Sequence, residues 1–260
     1  MMYFFGRNFK KVACEHFNYQ SLMDHRPFGR VLNAIRKFVY HRCDALVCLT
    51  KGDSENYYDV VDKNRIFVIP NSISFTRDKT SPLNTKRIIA VGRIIEQKNF
   101  PALIEAAAIM KPEIPDWHIT IFGKGDDEPF LQRLIAEKCL EDFVHIHPPV
   151  SDIKSEYLAS DIMTMTSIYE GLPMVLIEAE TCGLPVVSFN CNYGPSDMIH
   201  DGVNGYIVDV GDVRGLAEKI IAIAKNDELR RKMGRASFEN SALYETGTIA
   251  SKWLDLLNKI

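Results

Sequence analysis

In Ser167-Ile-Tyr-Glu-Gly-Leu-Pro-Met-Val-Leu-Ile-Glu-Ala-Glu-Thr-Cys-Gly-Leu-Pro-Val-Val-Ser188 the glutamates Glu170 and Glu178 stand eight positions apart. Gly171 and Pro173 follow the first carboxylate where a helix should begin, and Met174, Val175, Leu176 and Ile177 carry that helix to Glu178. Gly183 supplies its stop, because glycine readily adopts the left-handed conformation that ends helices. One carboxylate then guards the helix entrance. The other lies on the second turn, roughly 12 Å along the axis at 1.5 Å per residue. Between them, unpaired N–H groups and a partial positive charge face whatever docks there. A ligand with hydroxyls at both ends and phosphates in the middle suits this layout.

Outward from this stretch, apolar runs and amphipathic periods alternate along the chain. Short strands are expected at 11–14, 45–49 and 65–69, with helices at 28–42 and 50–61 between them. In the first helix Phe28, Val31, Leu32, Ile35, Phe38 and Val39 fall on one face, and Arg30, Arg36, Lys37, His41 and Arg42 flank it. The polar segment 74–85 reads as a linker. Beyond it strands are expected at 87–91, 117–122, 144–147, 162–166, 185–189 and 206–208. Helices are expected at 101–110, 128–138, 154–159, 213–225, 227–233 and 246–257, with a short one around 197–199. Strands alternating with helices imply parallel sheets covered on both faces, with ligands at the carboxyl ends of strands. The motif helix follows the strand at 162–166 and so sits at that edge.

The 260 residues are 46% hydrophobic, enough for one large or two modest globular domains. No apolar run is long enough to span a bilayer, and the N-terminal apolar stretch is too short for a secretory signal, so a cytoplasmic location is expected. Six scattered cysteines form no Cys-x-x-Cys pair and read as reduced, mostly buried thiols. Net charge is −3, but residues 1–86 carry +6 and the remainder −9. That asymmetry suggests a first part facing a membrane or polyanion; uneven surface charge is the other reading. Helix 28–42 is accordingly either a packed helix with a solvated basic face or a peripheral membrane contact at the inner face of the cell membrane. No nucleic-acid partner is expected. With no Asp-x-Asp and no His/Cys cluster at metal spacing, no metal or other cofactor is expected.

Further candidates lie where strands end. Gly92 and Arg93 follow a buried strand, with Lys98 and Asn99 just before the next helix. Glycine lets the backbone turn closely under a ligand, the Arg93 fork matches two phosphate oxygens, and Lys98 adds a compact cation. Each of the two cations, alone, also fits ordinary surface charge. Gly123-Lys124-Gly125 is either a base-contacting loop or a tight strand–helix turn, and Pro149 and Val150 either touch a base or only shape a loop. Glu178 interrupts an apolar run, where a carboxylate needs partners; the two hydroxyls of a ribose would supply them. His16 sits at a strand's carboxyl end, a position open to a structural or a functional role.

Together these residues resemble the family 4 retaining glycosyltransferases of the GT-B fold. The resemblance rests on Val91-Gly-Arg93 with Lys98-Asn99, Ser167-Ile-Tyr-Glu170-Gly-Leu-Pro with Glu178, Cys182-Gly-Leu-Pro-Val-Val187 and Asp201-Gly-Val-Asn-Gly-Tyr206. Ala45-Leu-Val-Cys-Leu-Thr50 and Val68-Ile-Pro-Asn71 add to it. It implies an α/β protein of GT-B type with two Rossmann-like parallel-sheet domains. Residues 1–82 would be a partial N-terminal, acceptor-side domain, because the glycine-rich unit that normally opens the family's first domain has no counterpart here. Residues 83–242 would form the nucleotide-sugar-binding domain, and 243–260 a C-terminal helix crossing back to the first.

By the same resemblance, Arg93 and Lys98 hold the donor diphosphate and Glu178 the ribose. Glu170, Gly171, Leu172, Pro173 and Met174 contact the transferred sugar, and His16 lies near the reacting carbon. The implied reaction moves a hexose or N-acetylhexosamine from a UDP-sugar, without a metal, to a glycan or lipid-linked acceptor of surface polysaccharide or lipopolysaccharide synthesis. Two alternatives stay open: a non-catalytic nucleotide-sugar-binding remnant, and a nucleotide-sugar epimerase of the same architecture.

Overall fold

The structure, a computed structural model, describes residues 9–16 and 29–260. Two parallel sheets organise them. The smaller is built from β1 (Val12–Glu15), β2 (Ala45–Cys48) and β3 (Ile66–Val68) in that order. Helix α1 (Gly29–Tyr40) joins the first two strands, and α2 (Lys51–Glu55) follows the second. Alternation along β2 splits its side chains between two cores. Leu46 and Cys48 pack with Val39, Tyr40 and Tyr57, while Ala45 and Val47 pack with Ile249 and Leu256. The latter pair belongs to the last helix, so the far face of the small sheet is covered by the C-terminal end of the chain.

The larger sheet has the order β6-β5-β4-β7-β8-β9, all parallel. These strands are β4 (Arg87–Val91), β5 (His118–Phe122), β6 (Val144–His147), β7 (Ile162–Met165), β8 (Val186–Phe189) and β9 (Gly205–Val208). The helices are α3 (Phe100–Met110), α4 (Glu128–Glu137), α5 (Ile153–Leu158), α6 (Met174–Thr181), α7 (Pro195–Met198), α8 (Val213–Ala224), α9 (Asp227–Asn240) and α10 (Thr246–Lys259). Ile88 and Ala90 of β4 enter one core, with Leu103, Ile104, Leu216 and Ile220. Ile89 enters the other, with Met163, Leu176, Ile177 and Val186. A strand buried on both faces reads as a continuous apolar run, as this one does. After β4 the chain builds toward β6, then returns to build from β7 toward β9. The order therefore reverses between β4 and β7, and the crevice outside a sheet's carboxyl edge at such a point is where ligands bind.

The linker and the last crossing are fastened together. Arg77 donates from Nε to Ser241 Oγ at 2.9 Å and from Nη2 to the Phe238 carbonyl at 2.7 Å, stacks over the Phe238 ring and pairs with Glu245.

Three expectations need correction. The stripe assigned inward on α1 includes Ile35 and Phe38, yet both are exposed, whereas Arg36, assigned to the basic outer face, points in. Its guanidinium meets Glu15 at 2.6 Å and lies 5.2 Å from the centre of the Tyr57 ring and 5.5 Å from that of Tyr40. A buried carboxylate on β1 needs a counter-ion, and this requirement turns the helix. Phe28 lies outside the described residues. Second, α2 ends at Glu55, well short of residue 61, because the Asn56 side chain donates to the Asp53 carbonyl and competes with the backbone ladder. Third, α9 runs to Asn240 rather than 233, since Ser237 and Asn240 find buried partners. Among the described residues no helix is long and apolar enough to cross a membrane.

Candidate functional site

The carboxyl ends of β4 and β7 release two loops side by side. From β4 come Gly92 and Arg93, then a 3-10 turn over Glu96–Lys98, then Asn99 at φ 47°, which swings the chain into α3. Asparagine tolerates that left-handed conformation better than most residues. From β7 comes the segment 166–170, then Gly171 to Pro173 and α6. The loops are laced together. Thr166 Oγ1 donates to the Lys98 carbonyl at 3.0 Å, and Ile168 N donates to the Gln97 carbonyl at 2.9 Å. Gln97 Nε2 donates to the Tyr169 carbonyl at 2.9 Å, and Lys98 Nζ meets Glu170 Oε1 at 2.5 Å. The last pair is largely buried, with side chains 15% and 10% exposed, so its attraction is little screened by solvent. The stem of Lys98 lies across Gly92, where a Cβ would come within 3.2 Å of Cδ and Cε.

Helix α6 starts four residues after Glu170, so the two glutamates are not on one continuous helix. Glu170 sits on the loop, held by Lys98, and Glu178 alone is helical. No side chain caps the first turn of α6: Leu176 N is taken by the Pro173 carbonyl at 3.0 Å, which leaves the amides of Met174 and Val175 without a capping side chain. Ser167 Oγ, buried beside the same loop, has no hydrogen-bond partner among the described residues. Glu178 is half-buried, and Tyr157 OH donates to its Oε2 at 3.0 Å. Burial raises its carboxyl above the usual range, and the Tyr157 bond opposes that rise. Oε1 has no hydrogen bond among the described residues and remains open to a hydroxyl donor.

The other expected residues divide. Arg93 is exposed at the crevice rim. Gly123 is structural as well as near the crevice: a Cβ there would stand 2.0 Å from the Gly92 carbonyl oxygen, so only glycine lets the ends of β4 and β5 come together. Pro149 and Val150 lie exposed after β6, and Val150 lines a cavity of about 590 Å³ with Phe122 and His147. His16 is exposed at the exit of β1 in the smaller sheet. Gly171 and Pro173 pack under Gly194, whose missing Cβ would fall 2.4 Å from Pro173 Cδ. Among the described residues no group of three or more His, Cys, Asp or Glu is placed to hold a metal.

Sequence reading passed over Gln97, Thr166 and Glu180. Gln97 sits next to the lysine, and the lacing it makes is visible only once the strand order puts β4 against β7. Replacing Gln97 by alanine removes one of the bonds fixing Lys98 against Glu170. The expected cost is about 1 kcal/mol, or roughly a fivefold loss of affinity for the UDP that the motif resemblance implies, read by calorimetry, with thermal stability nearly kept. An unchanged affinity would show that the lacing is idle. Glu180 is fully buried, with Asn204 Nδ2 donating to Oε1 at 2.7 Å and Asn240 Nδ2 to Oε2 at 2.9 Å. Its carboxyl is pushed up to about 8 by burial, against the pull of the two amides. Two carboxylates so close in an apolar run look alike in sequence, but at two residues apart on a helix they point to different sides.

This geometry agrees with the comparisons. The profile of the family described as glycosyl transferases group 1 matches residues 72–240. The amylovoran biosynthesis glycosyltransferase AmsD of Erwinia amylovora is 30% identical over 95% of this chain and 70% of its own length. The poly(ribitol-phosphate) alpha-N-acetylglucosaminyltransferase of Staphylococcus aureus is 28% identical over 84% of this chain and 44% of its own. Among solved structures, a mutant of S. aureus TarM in complex with fondaparinux, alpha-GlcNAc-glycerol and UDP superposes with a TM-score of 0.85 at 26% identity. That match covers 97% of this chain and 51% of TarM, so the chain spans about half the length of that protein. Anabaena HepE in complex with UDP gives 0.85 at 20% identity and supports the fold alone. The chain belongs to the group 1 glycosyl transferase family, and its fold is of the GT-B type, as the motif resemblance implies.

Proposed function

We infer that this chain carries the donor site of a retaining glycosyltransferase. It moves a hexose or N-acetylhexosamine from a UDP-sugar to a glycan or lipid-linked acceptor in surface polysaccharide synthesis. The observation that carries this reading is the Lys98–Glu170 pair, held at the strand-order reversal beside the uncapped start of α6. Arg93 and Lys98 compensate the diphosphate, Glu178 takes the ribose hydroxyls, and Glu170 with the Gly171–Met174 backbone takes the sugar. The relatives' names agree: AmsD is named for amylovoran synthesis and TarM was solved with UDP.

In the reaction the bond between the anomeric carbon and the leaving phosphate oxygen breaks toward an oxocarbenium-like state. The acceptor oxygen forms its bond on the same face and passes its proton to the departing phosphate. The cations of Arg93 and Lys98 stabilise the charge that develops there, so no metal is needed. His16, from the smaller sheet, would face the sugar across the cleft. Incubating the chain with UDP-N-acetylglucosamine or UDP-glucose and following the product anomer by NMR tests this. Release of a β-configured sugar would defeat the retaining assignment, and UDP binding without any product would select the remnant reading.

The ribose role has its own test. Glu178→Ala is expected to weaken UDP about tenfold, the worth of one charge-assisted bond, while leaving 2′,3′-dideoxy-UDP, which lacks both ribose hydroxyls, nearly unaffected. Equal loss for both nucleotides would remove Glu178 from the ribose. The same reading places the chain at the cytoplasmic side of a membrane, touching it peripherally. Ile35 and Phe38 are exposed beside Lys37, His41 and Arg42, as an interfacial helix requires. Co-sedimentation with anionic vesicles should be lost in an Ile35→Asp/Phe38→Asp variant; unaltered sedimentation would exclude this surface.

A further inference from the structure

Tyr193 holds a backbone conformation that a bulky side chain rarely adopts, at φ 63°, followed by Gly194 at φ 106°. Such a position costs about 1–3 kcal/mol and persists only where the surroundings impose it. Both sides of it are occupied. On one side Gly194 lies against the sugar loop, its missing Cβ 2.4 Å from Pro173 Cδ and 3.1 Å from the Gly171 oxygen. The preceding Asn192 bridges to Tyr169, one residue before Glu170. On the other side the Tyr193 ring reaches the smaller sheet. It lies on Gly52 of α2, where a Cβ would stand 2.9 Å from Cδ1, and its hydroxyl donates to Asn56 Oδ1 at 3.0 Å. Asn56 is itself oriented by donating to the Asp53 carbonyl at 3.1 Å. A second tie runs alongside, from Lys51 N to Asp197 Oδ2 at 2.6 Å.

We propose that Tyr193 is a positioning residue: a strut that sets the spacing between the sugar loop of the larger sheet and the carboxyl edge of the smaller sheet. The strained turn fixes where the ring leaves the loop, and Gly52 provides the flat seat in which it ends. The donor binds to the larger sheet alone, whereas His16 and the acceptor approach from the smaller one. The strut therefore governs turnover and leaves UDP affinity alone. A displacement of about 1 Å between reacting groups can cost a hundredfold in rate. This inference rests on the donor-site reading above.

The test compares Tyr193→Ala, Tyr193→Phe and Gly52→Ala in the 260-residue chain. Gly52 lies in a helix, where alanine is locally favourable, so its substitution disturbs the ring's seat without weakening α2. For Tyr193→Ala and Gly52→Ala, UDP affinity by calorimetry is expected to stay within about twofold. UDP release from UDP-N-acetylglucosamine or UDP-glucose should fall at least tenfold, and the radius of gyration by X-ray scattering should rise. Tyr193→Phe keeps the ring and should restore at least a third of the turnover. The double variant should be no worse than either single one, because both remove the same contact. Wild-type turnover in Tyr193→Ala, or a parallel loss of UDP affinity, would overturn the strut. If the wild-type chain neither binds UDP nor releases it, the donor reading has failed. Scattering then decides the strut by itself: an unchanged radius in both variants overturns it.

Discussion

Replacing Lys98 by methionine is expected to lower turnover at least a hundredfold, UDP affinity at least tenfold, and thermal stability measurably. The three losses have two separate causes. On the proposed reading Nζ is one of two cations for the diphosphate, and removing a donor aimed at charge that develops in the transition state typically costs 10²–10³ in rate. Removing it also takes the lysine partner from Glu170, whose side chain is only 10% exposed. Breaking a buried pair from one side costs about 3–5 kcal/mol, and the residual exposure here puts the expectation at the lower end. Glu170→Gln separates the two. It keeps the cation and the shape, so UDP should still bind, while sugar transfer should fall because the carboxylate proposed to face the sugar is gone.

The double variant Lys98→Met/Glu170→Gln should recover most of the lost stability, since no charge is left behind, but none of the turnover. Melting curves with and without UDP, beside a UDP-release assay, read all of this. Full transfer by Glu170→Gln would end the site assignment. A double variant as unstable as Lys98→Met would show that the pair is not the source of the instability.

The parts of the molecule legible in sequence are those whose signal is local. The run Arg87–Val91 gives a strand buried on both faces, and Gly183, at φ 73°, gives the end of α6 as expected. The ordered motifs name the family because each motif is short and contiguous. What the sequence hides is set by contacts between distant segments. Arg36 and Phe38 exchange places because Glu15, twenty-one residues upstream of Arg36, is buried and needs a charge. The helix expected to start at Glu170 starts at Met174 because Glu170 answers to Lys98 on the neighbouring strand's loop. Tyr193 carries no local signal of its role, and its hydroxyl bonds a residue 137 positions away along the chain. In each case a polar or strained group is fixed by a partner that periodicity does not count.

Glu180 shows how such a hidden group becomes measurable. Burial raises its carboxyl from 4.5 to about 8. Between those values the folded chain holds a proton that the unfolded chain has released. Stability from this group is therefore full below about pH 4.5 and is lost as pH rises toward 8, by on the order of 5 kcal/mol at 1.36 kcal/mol per unit. Glu178, also raised by burial, adds a slope of the same sign. His118 opposes both, because burial and its neighbour His145 lower its imidazole below the ordinary 6.5, which makes stability rise with pH in that window.

The raw profile mixes these slopes, so the informative quantity is the difference between wild type and Glu180→Gln. The glutamine cannot ionise, and its stability should fall less steeply between pH 5 and 8 than that of the wild type. It should also be less stable than the wild type at pH 5, because its own N–H₂ meets one of two amides that already donate to this position, from Asn204 and Asn240. Both of those amides also donate to the Met198 carbonyl, at 3.1 and 3.0 Å, and Asn204 Oδ1 accepts from His200 N at 2.7 Å. Glu180 thus holds α7, the turn into β9 and the end of α9 against the helix that carries Glu178. Chemical denaturation at four or five pH values measures the difference directly. Parallel profiles for the two chains would mean that Glu180 stays ionised across the range, with the two asparagine amides outweighing burial.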